Sequence, residues 1–211
     1  STVRRSGYMD YVSVLEYTPA GQVVVEHRFL GLFTSGAYSR SARDIPLARR
    51  KVSSVVERAG LRPRSHEGKA LVHILETLPR DEIFQSSVDE LYDLAMGILD
   101  LQERPQTRLF VRREMFGRFY SCLVYLPRDR FNTENREKIQ ATLKRALKAE
   151  RLDHTVHVAD SNLARLHVIL RLKSGVEPSF DVRELEQKIL TIVRSWHDAL
   201  KETLVERFGE L

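Results

Sequence analysis

Residues 106–211 contain the same succession of apolar patterns twice, and this repetition constrains the fold more than any other feature of the sequence. Runs rich in β-branched and aromatic residues, which are typical of strands, occur in pairs separated by short turns. Each pair is followed by a segment in which apolar residues recur every three or four positions, as on one face of a helix. The order strand, strand, helix, repeated once, predicts an antiparallel sheet with helices packed on one face.

The bounds of these elements follow from their flanking residues. The strands are predicted at about Arg108 to Arg113, Phe119 to Leu126, Leu152 to Ala159 and Leu163 to Lys173. Asn132 or Thr133 is placed to cap the first helix, because short polar side chains accept hydrogen bonds from the free N–H groups there. This helix is expected to bury an apolar stripe that consists of Ile139, Leu143 and Leu147.

The last helix is predicted to run from Asp181 to about Phe208. At 1.5 Å per residue it would be about 40 Å long, which is more than a four-stranded sheet can cover. Its apolar stripe could serve an internal core, but the excess length favours a contact between its C-terminal part and another surface. The residues assigned to this interface are Trp196, Leu200 and Leu204.

The first half is predicted to contain a β-hairpin followed by three helices. Tyr8 to Tyr17 and Val23 to Phe33 have the composition of strands, and the Pro-Ala-Gly sequence between them is typical of a tight turn. The polar residues 34–43 predict a loop. The helices are placed from Pro46, after a cap at Asp44, to a stop at Gly60; from Ser65 to Pro79; and from about Asp81 to Leu101.

A hairpin of two strands is marginally stable in water by itself. The first half is therefore expected to be truncated at its N-terminus, or to borrow strands from the second half or from a partner. The predicted fold class is α+β, with two modules whose antiparallel sheets are flanked by helices. Residues 1–105 form the first module and residues 106–211 the second, for which a ferredoxin-like or ACT-like ββα-ββα architecture is the nearest.

The sequence contains no recognisable pattern of catalytic, cofactor-binding or metal-binding residues. None of the ten glycines lies two residues from another, so the Gly-x-Gly-x-x-Gly fingerprint of dinucleotide binding is absent. His154 and His157 are three apart on a predicted strand and should lie on opposite faces, which disfavours a shared metal. Cys122 is the one cysteine, and its apolar strand predicts a buried, inert thiol in a reducing, cytoplasmic protein. No apolar run is long enough to span a membrane.

Two groups of basic residues could contact an anionic effector. One surrounds the predicted helix start at Ser65, where free backbone N–H groups attract anions. The other surrounds the loop that follows the hairpin. A capped surface helix and a solvated basic face are the simpler interpretations of the same residues. The effector hypothesis assigns the contact to Arg40, Arg43, Arg49, Ser65, His66 and Lys69.

Nucleic-acid binding is a weaker alternative. The chain carries 34 basic and 29 acidic side chains, a net charge of +5, but the two signs are interspersed. Aromatic residues alternate with arginines from Arg108 to Tyr120, as on a sheet that stacks RNA bases, yet the Gly-aromatic signature of that sheet is missing. We expect instead that the aromatic side chains enter the core and the arginines face solvent.

Several long segments of the chain resemble the large bacterial NAD-specific glutamate dehydrogenases. These are Arg28 to Tyr38, Ile45 to Val52, Arg58 to Gln85, Arg108 to Ile139 and Leu163 to Arg171. The resemblance covers nearly all of the chain, in order. In that family the dehydrogenase domain lies far downstream of an N-terminal region of ACT-like and PAS-like modules and helical motifs. The second half resembles one of the ACT-like modules, and the first half resembles the PAS-like or ACT-like module before it.

The resemblance implies a non-catalytic regulatory or oligomerisation segment. The family reaction is the oxidation of L-glutamate by NAD to 2-oxoglutarate and ammonia, so NAD would bind elsewhere in the parent enzyme and no cofactor would bind here. The implied partners are the rest of the same polypeptide, other subunits of a homo-oligomer and an amino-acid effector. Two alternatives stay open at this point, a stand-alone module that senses a small anionic molecule and, less favoured, an RNA-binding module.

Overall fold

The computed structural model describes residues 9–104, 106–158 and 162–194. It begins with the predicted hairpin, in which β1 (Asp10–Tyr17) pairs antiparallel with β2 (Val23–Gly31). Gly21 closes the turn at a φ of 80°, which only glycine adopts readily. Among the described residues neither strand pairs with a third one, so the hairpin does not borrow strands from the second half.

A layer of helices follows the hairpin. Its members are α1 (Ser35–Ser39), a 3₁₀ turn (Ala42–Asp44), α2 (Pro46–Ala59), α3 (His66–Thr77), α4 (Arg80–Gln85) and α5 (Val88–Glu103). The predicted loop at 34–43 thus contains helical turns. Asp44 does not cap α2, because Ile45 occupies the N-cap position and makes no side-chain hydrogen bond. Gly60 ends α2 at a φ of 62°, as expected.

The predicted third helix is two helices, because a second cap interrupts it. The Ser87 Oγ accepts a hydrogen bond from the Glu90 N–H at 3.1 Å, and the Glu90 carboxylate accepts one from the Ser87 N–H at 2.7 Å. This reciprocal capping box begins α5 and separates it from α4.

The second half has the predicted order of elements. They are β3 (Arg108–Arg113), β4 (Phe119–Pro127), a 3₁₀ turn (Arg128–Arg130), α6 (Thr133–Ala146), β5 (Ala149–Val158), β6 (Leu163–Leu172) and α7 (Val182–Val193). The sheet is antiparallel with strand order β3-β4-β6-β5. Moving β3 from the start of the module to its end converts ββαββα into βαββαβ, the order of a ferredoxin-like unit.

Helices cover both faces of this sheet, not one face as the sequence predicted. On β4, Cys122, Val124 and Leu126 pack against α6 and α7 in one core. Leu123 and Tyr125, which lie on the opposite face, join the core of α2, α3 and α5. Successive side chains of a strand alternate between faces, so a strand buried throughout requires a layer on each side.

Two expectations lie beyond the described residues. The helix predicted from Asp181 to Phe208 is described as far as Val193, and the interface assigned to Trp196, Leu200 and Leu204 falls outside. That interface stays a prediction. Each helix in the described ranges is too short or too polar to cross a membrane.

Candidate functional site

A cluster of four polar side chains, three of them buried and one partly buried, lies where the helical layer meets the sheet. Glu82 is contributed by the first turn of α4, and Arg112, Ser121 and His167 by β3, β4 and β6. The three strand residues lie on the sheet face that α4 covers. Arg112 is directly opposite Ser121 on the neighbouring strand. Ser121 is in turn opposite Ile169 of β6, and His167, two residues before Ile169, lies on the same face. Glu82 is 2% exposed, so its carboxylate has been removed from water.

The carboxylate of Glu82 receives two parallel hydrogen bonds from one guanidinium. Arg112 Nε donates to Oε2 and Nη2 to Oε1, both at 2.9 Å, and Nη2 also donates to the Gln85 side chain at 3.0 Å. Ser121 Oγ and His167 Nε2 are 2.8 Å apart, and that nitrogen lies 3.8 Å from Glu82 Oε1. A fork of this kind fixes both distance and orientation, so α4 is held to the sheet in one register.

The environment shifts the pKa of three of these groups. Burial alone would lower the pKa of Arg112, but its hydrogen bonds to Glu82 and the charge of that carboxylate raise it. Burial alone would raise the pKa of Glu82, but the hydrogen bonds and charge of Arg112, with smaller contributions from Ser121 and His167, hold that pKa below its ordinary value. Burial lowers the pKa of His167, and the positive charges of Arg165 and Arg112 lower it further against the opposing effect of Glu82. The cluster therefore contains an ionised carboxylate and a neutral imidazole at pH 7.

Serine, histidine and a carboxylate are the residue types of a hydrolytic triad, but their arrangement is different here. In a triad the nucleophile and the acid bind opposite nitrogens of the imidazole. In this cluster the Ser121 oxygen and the Glu82 oxygen both lie nearest to Nε2. Both carboxylate oxygens are already bound to Arg112, and Ser121 is 2% exposed. The geometry joins two layers of the protein and is not that of a triad.

We expect the free energy of unfolding to decrease as the pH falls from 7 to 4. His167 has a folded pKa below its ordinary 6.5, so its contribution is present above about pH 6.5 and is lost as the unfolded state takes up a proton. Glu82 contributes above its ordinary 4.5, and this part is lost as the pH falls through the folded value. Urea unfolding at several pH values would measure the slope, which H167Q should reduce between pH 7 and 5. The control H154Q changes an exposed histidine of β5, and an equal reduction of the slope by H154Q and H167Q would contradict this assignment.

Lys51 ties α2 to the end of α4. Its ammonium donates to the carbonyl oxygens of Ile83, Phe84 and Ser86 at 3.1, 2.7 and 2.7 Å. Burial lowers the pKa of Lys51, with a further contribution from the positive charge of Arg112. All three ammonium protons are thus used to satisfy backbone groups that the end of a helix leaves free. Lys51 fixes the helix that carries Glu82.

The structure brings part of the predicted anion site to one cavity. A depression of about 310 Å³ between α2 and α3 is lined by Arg43 and Lys69 together with Gly68 and the apolar residues Val56, Leu61, Pro63, Leu71 and Val72. Ser65 caps α3 as predicted, since its Oγ accepts a hydrogen bond from the Gly68 N–H at 3.1 Å, and His66 is the first residue of that helix. Arg40 and Arg49 do not line the cavity.

Gly68 is held tightly against the turn before α3. A Cβ atom at this position would collide with the backbone carbonyl oxygen of Arg62. G68A is therefore expected to lower the free energy of unfolding by about 1–3 kcal/mol, as overpacking does, although alanine is intrinsically the better helix former. The control G36A places its Cβ 3.6 Å from the nearest atom, an ordinary contact, and should change stability little. Equal effects in thermal unfolding would contradict this explanation.

The surroundings of Cys122, His154 and His157 are those of residues with a structural role. Cys122 is fully buried in the sheet, and burial with the nearby Glu82 charge raises the pKa of its thiol. His154 bonds to Arg136 at 3.1 Å, whereas His157 lies on the other face of β5. Within the described ranges no three metal-ligating side chains come together.

The segment Arg108 to Tyr120 does not form an open stacking surface. Phe119 and Tyr120 are buried, and Phe110 packs edge to face against Tyr125 beneath the helical layer. The expectation that its arginines face solvent is wrong for Arg112, because α4 supplies a buried carboxylate opposite it. A sheet that reads RNA needs an uncovered face, and helices cover both faces here.

The sequence did not single out the polar cluster. Arg112 is two residues from Phe110, and Ser121 is two residues from Leu123. On β6, Leu163, Arg165 and His167 follow one another at intervals of two residues and so lie on one face. Polar residues in phase with apolar ones on three strands are a signal of a buried polar patch. The sequence still lacks the information that α4 covers this patch.

Comparison with known proteins accounts for both halves of the chain. Residues 45–104 match the family model for helical motif 1 of glutamate dehydrogenase, and residues 108–197 match that for the ACT2 domain of glutamate dehydrogenase. Together these matches cover well over half of the chain. The chain belongs to the glutamate dehydrogenase family. Helices α2 to α5 thus correspond to the matched helical motif, and the ferredoxin-like module corresponds to the matched ACT2 domain.

Relatives in this family are much longer than the chain. It is 43% identical over 208 residues to the NAD-specific glutamate dehydrogenase of Halomonas elongata and 43% identical over 210 residues to that of Pseudomonas aeruginosa. Identity to the NAD-specific glutamate dehydrogenase of Mycobacterium tuberculosis is 35% over 212 residues. These alignments cover 99%, 100% and 95% of the chain but 13% of each relative. The chain is therefore similar to one segment of a large dehydrogenase.

Proposed function

We propose that this chain is a non-catalytic regulatory and assembly segment of a large, cytoplasmic, homo-oligomeric glutamate dehydrogenase. The parent enzyme would oxidise L-glutamate with NAD to 2-oxoglutarate and ammonia, and its active site would lie in another part of the polypeptide. The observation that carries this proposal is the Glu82–Arg112 fork, because it commits a buried carboxylate and its guanidinium partner to joining two layers.

A second contact also joins the sheet to the helical layer. Arg165 on β6 donates to the Thr77 carbonyl at 2.8 Å, so the sheet also holds the C-terminal end of α3. A displacement of the ACT2 sheet would be passed to α3 and α4 together, since both are tied to it by charged groups. A regulatory role needs such a mechanical link between the surface that receives a signal and the rest of the protein. We place the boundary between the two modules, residues 1–105 and 106–211, at this joint.

The test compares the isolated chain with the parent enzyme. Purified chain mixed with L-glutamate and NAD should produce no NADH above the blank by absorbance at 340 nm, whereas the parent enzyme should. R112M in the parent should alter the subunit assembly seen by light scattering, or the maximal rate, while leaving the KM for NAD unchanged. Turnover by the isolated chain would refute the proposal, and so would an R112M parent with unchanged assembly and unchanged rate.

A second function for the same segment is the binding of an anionic effector in the cavity between α2 and α3. We propose that a small carboxylate, such as an amino acid, binds with its charge near Arg43 and Lys69 and its apolar part against Val56, Leu61 and Leu71. The support is the combination of two cationic side chains with an apolar wall in one depression. Arg40, Arg49, Ser65 and His66 surround the same region in sequence and are proposed as outer contacts.

Calorimetric titration of the chain with a panel of amino acids and dicarboxylates tests this site. At least one compound should bind, and K69M should weaken that binding about tenfold, whereas R50M should not, because Arg50 is an exposed residue of α2 outside the cavity. Flat titrations at millimolar concentration, or equal weakening by both variants, would exclude the cavity as the binding site.

A further inference from the structure

The turn between β3 and β4 presents two adjacent apolar side chains to solvent. Met115 is 89% exposed, the highest value for a large apolar residue among those described, and Phe116 is 62% exposed. Single exposed apolar residues are common on protein surfaces, but methionine and phenylalanine are enriched where proteins contact each other. The adjacent pair, which we call the Met115–Phe116 tip, is therefore a candidate contact surface at the end of the sheet.

The backbone of the Met115–Phe116 tip is fixed by a buried carboxylate. Glu114 is 6% exposed, and its Oε2 accepts hydrogen bonds from the Phe116 N–H at 3.0 Å and from the Arg118 N–H at 3.2 Å. The Gly117 N–H donates to the Glu114 carbonyl at 2.8 Å, and Gly117 has a φ of 68°, which suits glycine. Because the turn is already ordered, little conformational entropy is lost when its two apolar side chains meet a partner.

The charges next to the tip are paired within the chain. Arg118 Nε donates to Glu114 Oε1 at 3.2 Å, and the same guanidinium lies over the Phe116 ring, 5.1 Å from its centroid. Arg113, on the other side of the turn, pairs with Glu177 at 2.9 Å. Nucleic acid binds through cations that are available to its phosphates, so it fits this surface less well than protein does. The surface that receives the tip needs apolar groups and no net charge.

The size of the tip indicates where its partner lies. Two side chains of this kind offer about 300 Å² of surface, whereas a stable contact between separate proteins buries about 800 Å² on each partner. A contact as small as this one is well populated when both surfaces belong to one polypeptide, because the covalent link raises their effective concentration. The relatives contain such polypeptide, since the aligned segment is 13% of their length.

We propose that the Met115–Phe116 tip inserts into an apolar pocket on another domain of the same glutamate dehydrogenase subunit. Arg112, which forms the fork with Glu82, is three residues before Met115, so the contact connects that domain with the junction of sheet and helical layer. The inference rests on the proposed function only in treating the chain as a segment of the parent enzyme. If R112M left assembly and rate unchanged, the regulatory role would fail and this contact would stand.

Methionine oxidation by hydrogen peroxide tests the proposal without any substitution. In the isolated chain, Met115 should form its sulfoxide at least about tenfold faster than Met96, which is partly buried on α5 against the helical core. In the full-length parent enzyme, Met115 should react no faster than Met96, because the pocket covers it, and Met96 should keep its rate. Mass spectrometry of the digested proteins would give both rates. An equally fast reaction of Met115 in the two proteins would overturn the proposal.

Photo-crosslinking in the same parent enzyme identifies the surface that receives the tip. With benzoylphenylalanine in place of Phe116, illumination should join the turn to a peptide outside residues 1–211, in a product of single-subunit mass on a denaturing gel. The matched control places the crosslinker at Leu47, which is 60% exposed on α2, and should not give that peptide. A product of double-subunit mass would assign the contact to a neighbouring subunit and overturn the proposal. Crosslinks confined to residues 1–211, or the same peptide from both positions, would overturn it as well.

Discussion

Replacement of Arg112 by methionine is expected to lower the free energy of unfolding by about 3–5 kcal/mol. The methionine fills most of the volume, but it leaves the Glu82 carboxylate buried without its counter-charge and without two hydrogen bonds. Urea unfolding at pH 7, followed by circular dichroism, would measure the difference.

Arg113, the next residue on β3, provides the matched control. It forms an ion pair with Glu177 in which both side chains are more than half exposed, and R113M should therefore cost about 0–1 kcal/mol. The double variant E82L/R112M should recover most of the loss, because no charge is then left buried. If R112M and R113M lowered the free energy of unfolding equally, the Glu82–Arg112 fork would not be what holds the two layers together.

Replacement of Leu123 by alanine is expected to cost about 2–5 kcal/mol. Leu123 is 2% exposed on the sheet face that contacts the helical layer, so the shorter side chain leaves a cavity between the two layers. L47A is the same chemical change on α2 at a position that is 60% exposed, and it should have an effect within about 0.5 kcal/mol. Unfolding monitored by denaturant titration would give both values.

The L123A variant also reports on cooperativity. Because Leu123 and Tyr125 of the sheet share one core with α2, α3 and α5, the helical motif and the ACT2 domain should unfold in a single transition in both wild type and variant. Two separated transitions, with only the sheet affected by L123A, would mean that the two modules are stabilised independently.

Much of the secondary structure was predictable because local signals are strong in this chain. The cap at Ser65, the stop at Gly60 and the apolar stripe of α6 all give the observed bounds to within a few residues. The break between α4 and α5 was missed, although Ser87 and Glu90 have the spacing of a capping box. The apolar periodicity continues through the break and by itself predicts one continuous helix.

The helices that cover the second face of the sheet could not be identified from the sequence. Eight consecutive buried residues, Phe119 to Leu126, indicate that β4 is covered on both faces. Which elements cover it depends on contacts between residues about 30 positions apart or more, such as Glu82 with Arg112. Sequence patterns specify which face of an element is apolar, but the choice of its neighbour is a property of the whole fold.

The position of Lys51 is selective for the shape of an ammonium group and not merely for its charge. Acylation of its nitrogen would leave a single N–H for three carbonyl oxygens and remove the charge, so two carbonyls at the end of α4 would lose their donor. Arginine would keep the charge, but its donors lie in one plane and do not match acceptors grouped around a tetrahedral nitrogen.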